Sequence, residues 1–296
     1  MRHYERCPVC NSSDLTFIFN VKDHTVSGED FAIWECKDCM VRFTQDVPEA
    51  DSIAPYYKSE DYISHSETKK GFINSAYHTV RKFTLQQKRK LVCRVSGLNK
   101  GRILDIGCGT GAFLEVMKDA GWSVKGLEPD DSARKIAEAR GVPVSPSNEL
   151  FSISEQFDAI TMWHVMEHVH DLHQYVEQMR SILQPGGVIL VAVPNYTSAD
   201  ASAYGAYWAA YDVPRHLFHF SPLSMKKLMN LHGMEIVGQH PMWFDSFYVS
   251  MLSEKYKHGS NRLLSACLRG MQSNASAMGE TGRCSSVIYV IKKARP

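Results

Sequence analysis

No stretch of this 296-residue chain approaches the roughly 20 apolar residues that a bilayer-spanning helix needs. The longest purely apolar run beside an expected strand is Val188–Val193. The amino terminus, Met1-Arg-His-Tyr-Glu-Arg-Cys7, lacks the apolar segment of a secretory leader. An excess of one charge is missing too. Lys and Arg number 33 against 32 Asp and Glu, a net +1, so no global field draws the protein to nucleic acid or anionic lipid. Low-complexity tracts and internal repeats are absent. With 44% hydrophobic and 22% charged residues, the chain is not disordered either. What remains is the expectation of a soluble, cytoplasmic globular protein, one large domain with a small attachment.

Cysteine is present eight times, yet a chain this long needs no disulfide scaffold. Cys93, Cys108, Cys267 and Cys284 are scattered, whereas Cys7/Cys10 and Cys36/Cys39 form two Cys-x-x-Cys pairs 25 residues apart. Two such turns place four thiolates around one tetrahedral zinc. The segment between them alternates apolar residues at Leu15, Phe17 and Phe19, then turns at Val26-Ser-Gly before Phe31-Ala-Ile-Trp34. That predicts a short antiparallel hairpin carrying both turns, a zinc ribbon over residues 1–46. A site closed by four Cys is structural, and so small a segment cannot build a core of its own.

Residues 47–96 follow as a linker and a basic helix. Pro48–Pro55 marks the linker and Tyr56–Tyr62 an aromatic, turn-rich stretch. From Phe72 to Val95 apolar residues recur at helical spacing, with Gly97 as a stop. Eight Lys or Arg and no acid lie between Lys69 and Arg94, which suits a solvated helix face and, as a second reading, RNA. Beyond Arg102 the pattern is strand, turn, helix, repeated. Strands are expected at Arg102–Ile106, Ser123–Leu127, Val142–Ser145, Phe157–Trp163 and Gly187–Val193, and helices at Gly111–Ala120, Asp130–Arg140 and Asp171–Leu183. Met234–Val237 and Val287–Ile291 complete a doubly wound, seven-stranded α/β sheet spanning residues 97–296.

The turn after the first of these strands is Leu104-Asp-Ile-Gly-Cys-Gly-Thr-Gly-Ala112. Glycines at 107, 109 and 111 admit a ligand close to the backbone. Their spacing is not that of a dinucleotide fingerprint, and Asp105 would repel a pyrophosphate, which disfavours a nicotinamide enzyme. A carboxylate there suits a cationic ammonium instead. Glu128, in Gly126-Leu-Glu-Pro-Asp130, stands where two ribose hydroxyls can donate to one carboxylate. A nucleoside with a cationic amino-acid tail satisfies both acids, and S-adenosylmethionine is such a ligand.

Here the chain resembles the class I S-adenosylmethionine-dependent methyltransferases. The resemblance rests on Ile103–Leu114, Gly126–Pro129, Phe157–Ile160 with Met166-Glu-His168, and Leu183–Gly187 with Val193-Pro-Asn195. As a whole the chain is similar to the branch with an N-terminal four-Cys ribbon, and to ubiquinone-biosynthesis O-methyltransferases and deoxysugar C-methyltransferases. The resemblance implies a Rossmann-like methyltransferase sheet. It implies that Asp105, Gly107, Cys108, Gly109 and Gly111 line the cofactor, that Glu128 and Pro129 flank its ribose, and that Trp163 and His164 approach from the fourth strand. The acid that many relatives use for the adenine amine is absent from Val144-Ser-Pro-Ser-Asn148. The acceptor implied is a small molecule, quinol-like or sugar-like, methylated on oxygen or carbon.

Residues 196–220 form a long insertion after the fifth strand, with Tyr204, Tyr207, Trp208, Tyr211 and then Asp212-Val-Pro-Arg-His-Leu-Phe-His-Phe220. It is expected to roof the acceptor, with Arg215 or a histidine reaching an oxygen-rich substrate. His216 and His219 are the candidate general bases, because an imidazole titrates near neutral pH. His164, His168, His170 and His173 form a second cluster. They straddle a strand end and a loop rather than one helix face, so no metal is expected there.

Overall fold

The computed structural model describes residues 1–58, 72–260 and 262–294. The expectations for Tyr62, Lys69 and Lys70 lie outside the described residues. Three strands come first: β1 (Leu15–Lys22), β2 (Asp30–Cys36) and β3 (Arg42–Thr44). Helix α1 (Phe72–Ser96) ends at Gly97, whose φ of +73° stops it. Then follow β4 (Arg102–Ile106), α2 (Ala112–Asp119), β5 (Ser123–Leu127), α3 (Asp131–Ala139), β6 (Val144–Ser145), β7 (Phe157–Trp163), α4 (Leu172–Ile182) and β8 (Leu183–Pro194). The remainder is α5 (Ala199–Tyr204), β9 (Phe218–His219), α6 (Pro222–Leu231), β10 (Met234–Pro241), α7 (Asp245–His258), α8 (Leu263–Ala277) and β11 (Ser286–Lys293).

Seven strands form one sheet in the order β10-β11-β8-β7-β4-β5-β6. β4 to β8 run parallel, while β11 is antiparallel to both β8 and β10. The doubly wound sheet expected from the sequence is therefore present, with two antiparallel strands at one edge. Successive residues of β4 feed opposite faces: Ile103 packs with Leu114 and Met117, Leu104 with Ile160 and Leu172. Val188–Val193 of β8, buried on both sides, is a continuous apolar run, which is why it was legible. The carboxyl ends of β4, β5, β7 and β8 line one edge, where open parallel sheets hold their ligands. Among the described residues, no helix is long and apolar enough to cross a membrane.

A second, antiparallel sheet has the order β1-β2-β3-β9. Its fourth strand comes from the 196–220 segment, with Arg42 opposite His219 and Phe43 opposite Phe218. Tyr204, Trp208 and Tyr211 of that segment turn inward and pack with Phe31 and Ile33 of the amino-terminal hairpin, while Tyr207 stays exposed. Helices α7 and α8 were not anticipated, and they pack against α5 and the turns that follow it.

Candidate functional site

At the carboxyl end of β4 the chain turns sharply, and Gly107 and Cys108 donate their N–H groups to Leu127 O at the end of β5. Gly107 has φ +73°, and a Cβ there would meet Val165 Cγ2 at 2.3 Å. Gly109 has φ +53°, and a Cβ there would meet nothing within 4 Å, so open space lies over this residue. Gly111 caps α2, again at positive φ. The Cys108 thiol is buried, and burial holds its pKa far above the ordinary value, so it is inert as a nucleophile.

Two carboxylates face this turn. Asp105 is almost wholly buried and accepts from Thr161 Oγ1 at 2.5 Å. Burial pushes its pKa up to about 7 against the opposing pull of Thr161 and Lys88. Glu128 accepts from Gly109 N at 2.8 Å and from Asp130 N at 3.0 Å. A carboxylate has about four acceptor positions, so two remain for ligand hydroxyls. Pro129 O is held by Arg134 Nη1 at 2.7 Å, which fixes the backbone beside Glu128. Asp130 then caps α3, accepting from Ala133 N.

From β7 comes Trp163, whose ring meets Phe113 edge-on with centroids 5.5 Å apart. Its Nε1 is buried without a partner among the described residues, a donor left for a ligand. Lys88 of α1 places Nζ 4.2 Å from the Trp163 ring centroid and lies in the field of Asp105 and Asp245. His164 has the left-handed φ of +57°, uncommon for a residue with a Cβ. Its Nε2 is 3.0 Å from Asp245 Oδ2 and its Nδ1 3.4 Å from Glu167 Oε1. Burial alone would lower its pKa, but these two carboxylates raise it to about 10, so His164 carries a proton. Lys88 and Asp245 were not singled out in the sequence. Nothing local marks them, because they come from helices remote from the glycine turn.

Neither candidate base is solvent-exposed. His219 is buried with Nε2 3.1 Å from Thr44 Oγ1, and burial lowers its pKa well below the ordinary range, which leaves a poor proton acceptor. His216 holds Nδ1 against Ala210 O at 2.8 Å. The helix after them is capped by Ser221, not by a histidine. Arg215 does not reach toward a substrate. Its guanidinium is buried and spent on Asp212 Oδ1 at 2.6 Å, Asp23 Oδ1 at 2.9 Å and Tyr56 O at 2.8 Å. The expectation for this side chain fails because a buried guanidinium must satisfy its donors locally.

The four paired cysteines converge. Cys7 Sγ lies 3.5 Å from Cys39 Sγ, Cys10 Sγ lies 3.5 Å from Cys36 Sγ, and all four sulfurs fall within 4.8 Å of one another. Four sulfurs at about 2.3 Å from one zinc stand roughly 3.8 Å apart, so the spacing fits that ion. The two turns match each other. Asn11 N donates to Cys7 O and Met40 N to Cys36 O, both at 2.9 Å, and Asn11 and Met40 share positive φ.

Residues 80–239 match a family model described as a methyltransferase domain. The chain is 32% identical over 160 residues to a ubiquinone biosynthesis O-methyltransferase of Rhizobium etli, covering 49% of this chain and 64% of that protein. It is 30% identical over 172 residues to the protein of that name from Actinobacillus pleuropneumoniae serotype 7, covering 50% and 72%. The first alignment thus spans a little under two thirds of the relative. Among solved structures, magnesium protoporphyrin IX methyltransferase from Synechocystis PCC 6803 with bound SAH superposes with a TM-score of 0.53. Identity there is 11%, over 80% of this chain and 95% of the other, which shows a shared fold.

Proposed function

The chain belongs to the methyltransferase-domain family, and from that premise we propose that it transfers the methyl group of S-adenosylmethionine to a small-molecule acceptor. The observation that carries this reading is the glycine turn with open space over Gly109, with Glu128 bound to Gly109 N and the buried Asp105 two residues before Gly107. When bound, the cofactor supplies an electrophilic methyl on a sulfonium. The residues of the chain supply everything else, chiefly alignment. Asp105 pairs with the ammonium, Glu128 accepts from the ribose hydroxyls, and Lys88 faces the carboxylate. Protonated His164, held by Asp245 and Glu167, fixes the end of β7 beside the acceptor.

The names of the relatives support an oxygen acceptor of quinol type, with a sugar-like acceptor and carbon methylation as the second possibility. We further infer a structural zinc on Cys7, Cys10, Cys36 and Cys39. We assign residues 1–46 to the ribbon, 47–96 to linker and helix, and 97–296 to the catalytic domain with its 196–220 insertion. The RNA reading of the basic helix loses force because Lys88 turns inward onto Trp163. Calorimetry with S-adenosylmethionine and NAD tests the class: tight NAD binding with no S-adenosylmethionine binding overturns it. A mass-spectrometric screen of quinol, nucleotide-sugar and metabolite pools with cofactor-loaded protein then identifies the acceptor by a gain of one methyl.

A further inference from the structure

Beside the cofactor turn, Glu167 and His168, just after β7, meet His216 of the 196–220 segment. One carboxylate oxygen and one ring nitrogen from each histidine lie within 4.8 Å of one another. Glu167 is fully buried, and neither of its oxygens has a hydrogen-bond partner among the described residues. The nearest cation is His164 Nδ1 at 3.4 Å. His164 offsets part of this charge at Oε1, while Oε2 has no partner among the described residues, so a second positive group would complete the carboxylate.

Both histidines are prepared to supply the remaining ligands. His168 Nδ1 lies 3.0 Å from Arg215 O, with Tyr57 Oη at 3.1 Å, and His216 Nδ1 lies 2.8 Å from Ala210 O. A carbonyl only accepts, so Nδ1 carries the proton in each ring and Nε2 keeps its lone pair. The rings sit 4.5 Å apart and nearly perpendicular, a distance that two imidazolium cations would resist. A backbone carbonyl fixing Nδ1 is the arrangement that orients metal-ligating histidines, and a hydrogen-bonded carboxylate is its counterpart, here with His164 behind Glu167.

We propose that Glu167, His168 and His216 form a three-ligand site for a divalent first-row transition metal. Two imidazoles and one carboxylate suit zinc, cobalt, iron or manganese better than magnesium or calcium, which prefer oxygen alone. Three protein ligands leave positions open for acceptor oxygens. The chemical consequence rests on the methyltransferase reading. An acceptor hydroxyl bound there loses its proton to water, its oxygen attacks the methyl carbon, and the carbon–sulfur bond breaks with its electron pair leaving on sulfur. The acceptor class is therefore a hydroxylated molecule, best one with two adjacent oxygens to chelate the ion. Sequence spacing among the histidines near His164 does not reveal this site, because its third ligand lies 48 residues further along the chain.

The test counts metal on the full chain. Protein purified without chelator is titrated with zinc and with cobalt, and bound metal is read by elemental analysis. The wild type is expected to hold one equivalent more than His216→Ala and than the near-isosteric Glu167→Gln. With cobalt, that equivalent should give weak visible bands without thiolate charge transfer. Circular dichroism checks that each variant is folded, and His168→Asn serves as a third variant should one of them fail. Equal metal content in the wild type and any folded variant overturns the proposal. Calorimetry with S-adenosylmethionine separates the two claims: cofactor binding without the extra equivalent defeats the metal site alone. The extra equivalent without cofactor binding defeats the methyltransferase reading alone.

Discussion

The two sheets of this protein hold their functional residues by opposite means. In the seven-stranded sheet the glycine turn and both carboxylates, Asp105 and Glu128, come from one stretch of chain, and Trp163 and Lys88 join them from β7 and α1. In the four-stranded sheet β1, β2 and β3 follow one another, but the fourth strand is not local. β9 joins β3 across more than 170 residues, and the two segments are tied by Arg42 Nη1 to Tyr211 Oη at 2.8 Å and by Tyr196 Oη to Met40 O at 2.7 Å. Thr44 Oγ1 donates to His216 O at 2.7 Å, and the buried Asp23–Arg215 pair closes the contact. The comparison teaches that cofactor binding and the placement of His216 are carried by separate parts. The amino-terminal sheet is the frame on which the 196–220 segment is built.

The predictions are ways to break one sheet without the other. The largest effect is expected from Cys36→Ser. Structural zinc contributes about 10–16 kcal/mol in small peptides, so losing a ligand should unfold residues 1–46 locally, read as new protease cleavage there. Next comes Asp23→Ala, which leaves Arg215 with Asp212 as its one carboxylate partner among the described residues. Breaking a buried pair costs about 3–5 kcal/mol, and the remaining partner places the expected loss near the lower end. Burial opposes ionisation of Asp23, yet Arg215 and the N–H groups of Ser27 and Thr25 bring its pKa down to about 2. A folded-state value below the unfolded one stabilises above the ordinary carboxylate range. That part of the stability should fade as the pH falls toward 2, read by chemical denaturation across that range.

Glu128→Ala tests the other sheet. Charge-assisted bonds of about 1.5–3 kcal/mol each predict at least tenfold weaker S-adenosylmethionine binding by calorimetry, in a variant still folded by circular dichroism. The effect of pH on the same affinity is graded rather than all at once. Asp105 titrates near 7 and must be ionised to face an ammonium, so affinity should be level above pH 8. Below pH 7 it should fall by about tenfold per unit, with a proton released on binding. Level affinity from pH 5 to 8 would remove Asp105 from the ammonium site.

Legibility in the sequence followed the same division. The limits of β4, β5 and β7 were read directly, since each is a short run with buried apolar residues that ends at a local turn. Helices α7 and α8 were missed for a physical reason. α8 buries Ala266, Gly270, Ser273 and Ala277 and exposes Leu264 and Leu268, so its apolar periodicity points to the wrong face. Gly270 lets the helices approach, for a Cβ there would meet Phe247 Cδ1 at 2.7 Å. In the site, the glycine turn and both carboxylates were legible because their chemistry is local. Lys88, Asp245 and the meeting of Glu167 with His216 were not, because tertiary packing alone brings them together. Arg215 was mistaken for a substrate group for that reason: its partner Asp23, just after β1, lies 192 residues earlier in the chain.

Hydrogen exchange on Cys36→Ser, with and without S-adenosylmethionine, tests the division of labour most directly. Protection should be lost over residues 1–46 and, in the same step, over 199–219, while β4 and β5 keep theirs and gain more when the cofactor is added. Protection retained over 199–219 after the amino-terminal sheet has opened would contradict the account, as would loss of the cofactor response at β4 and β5.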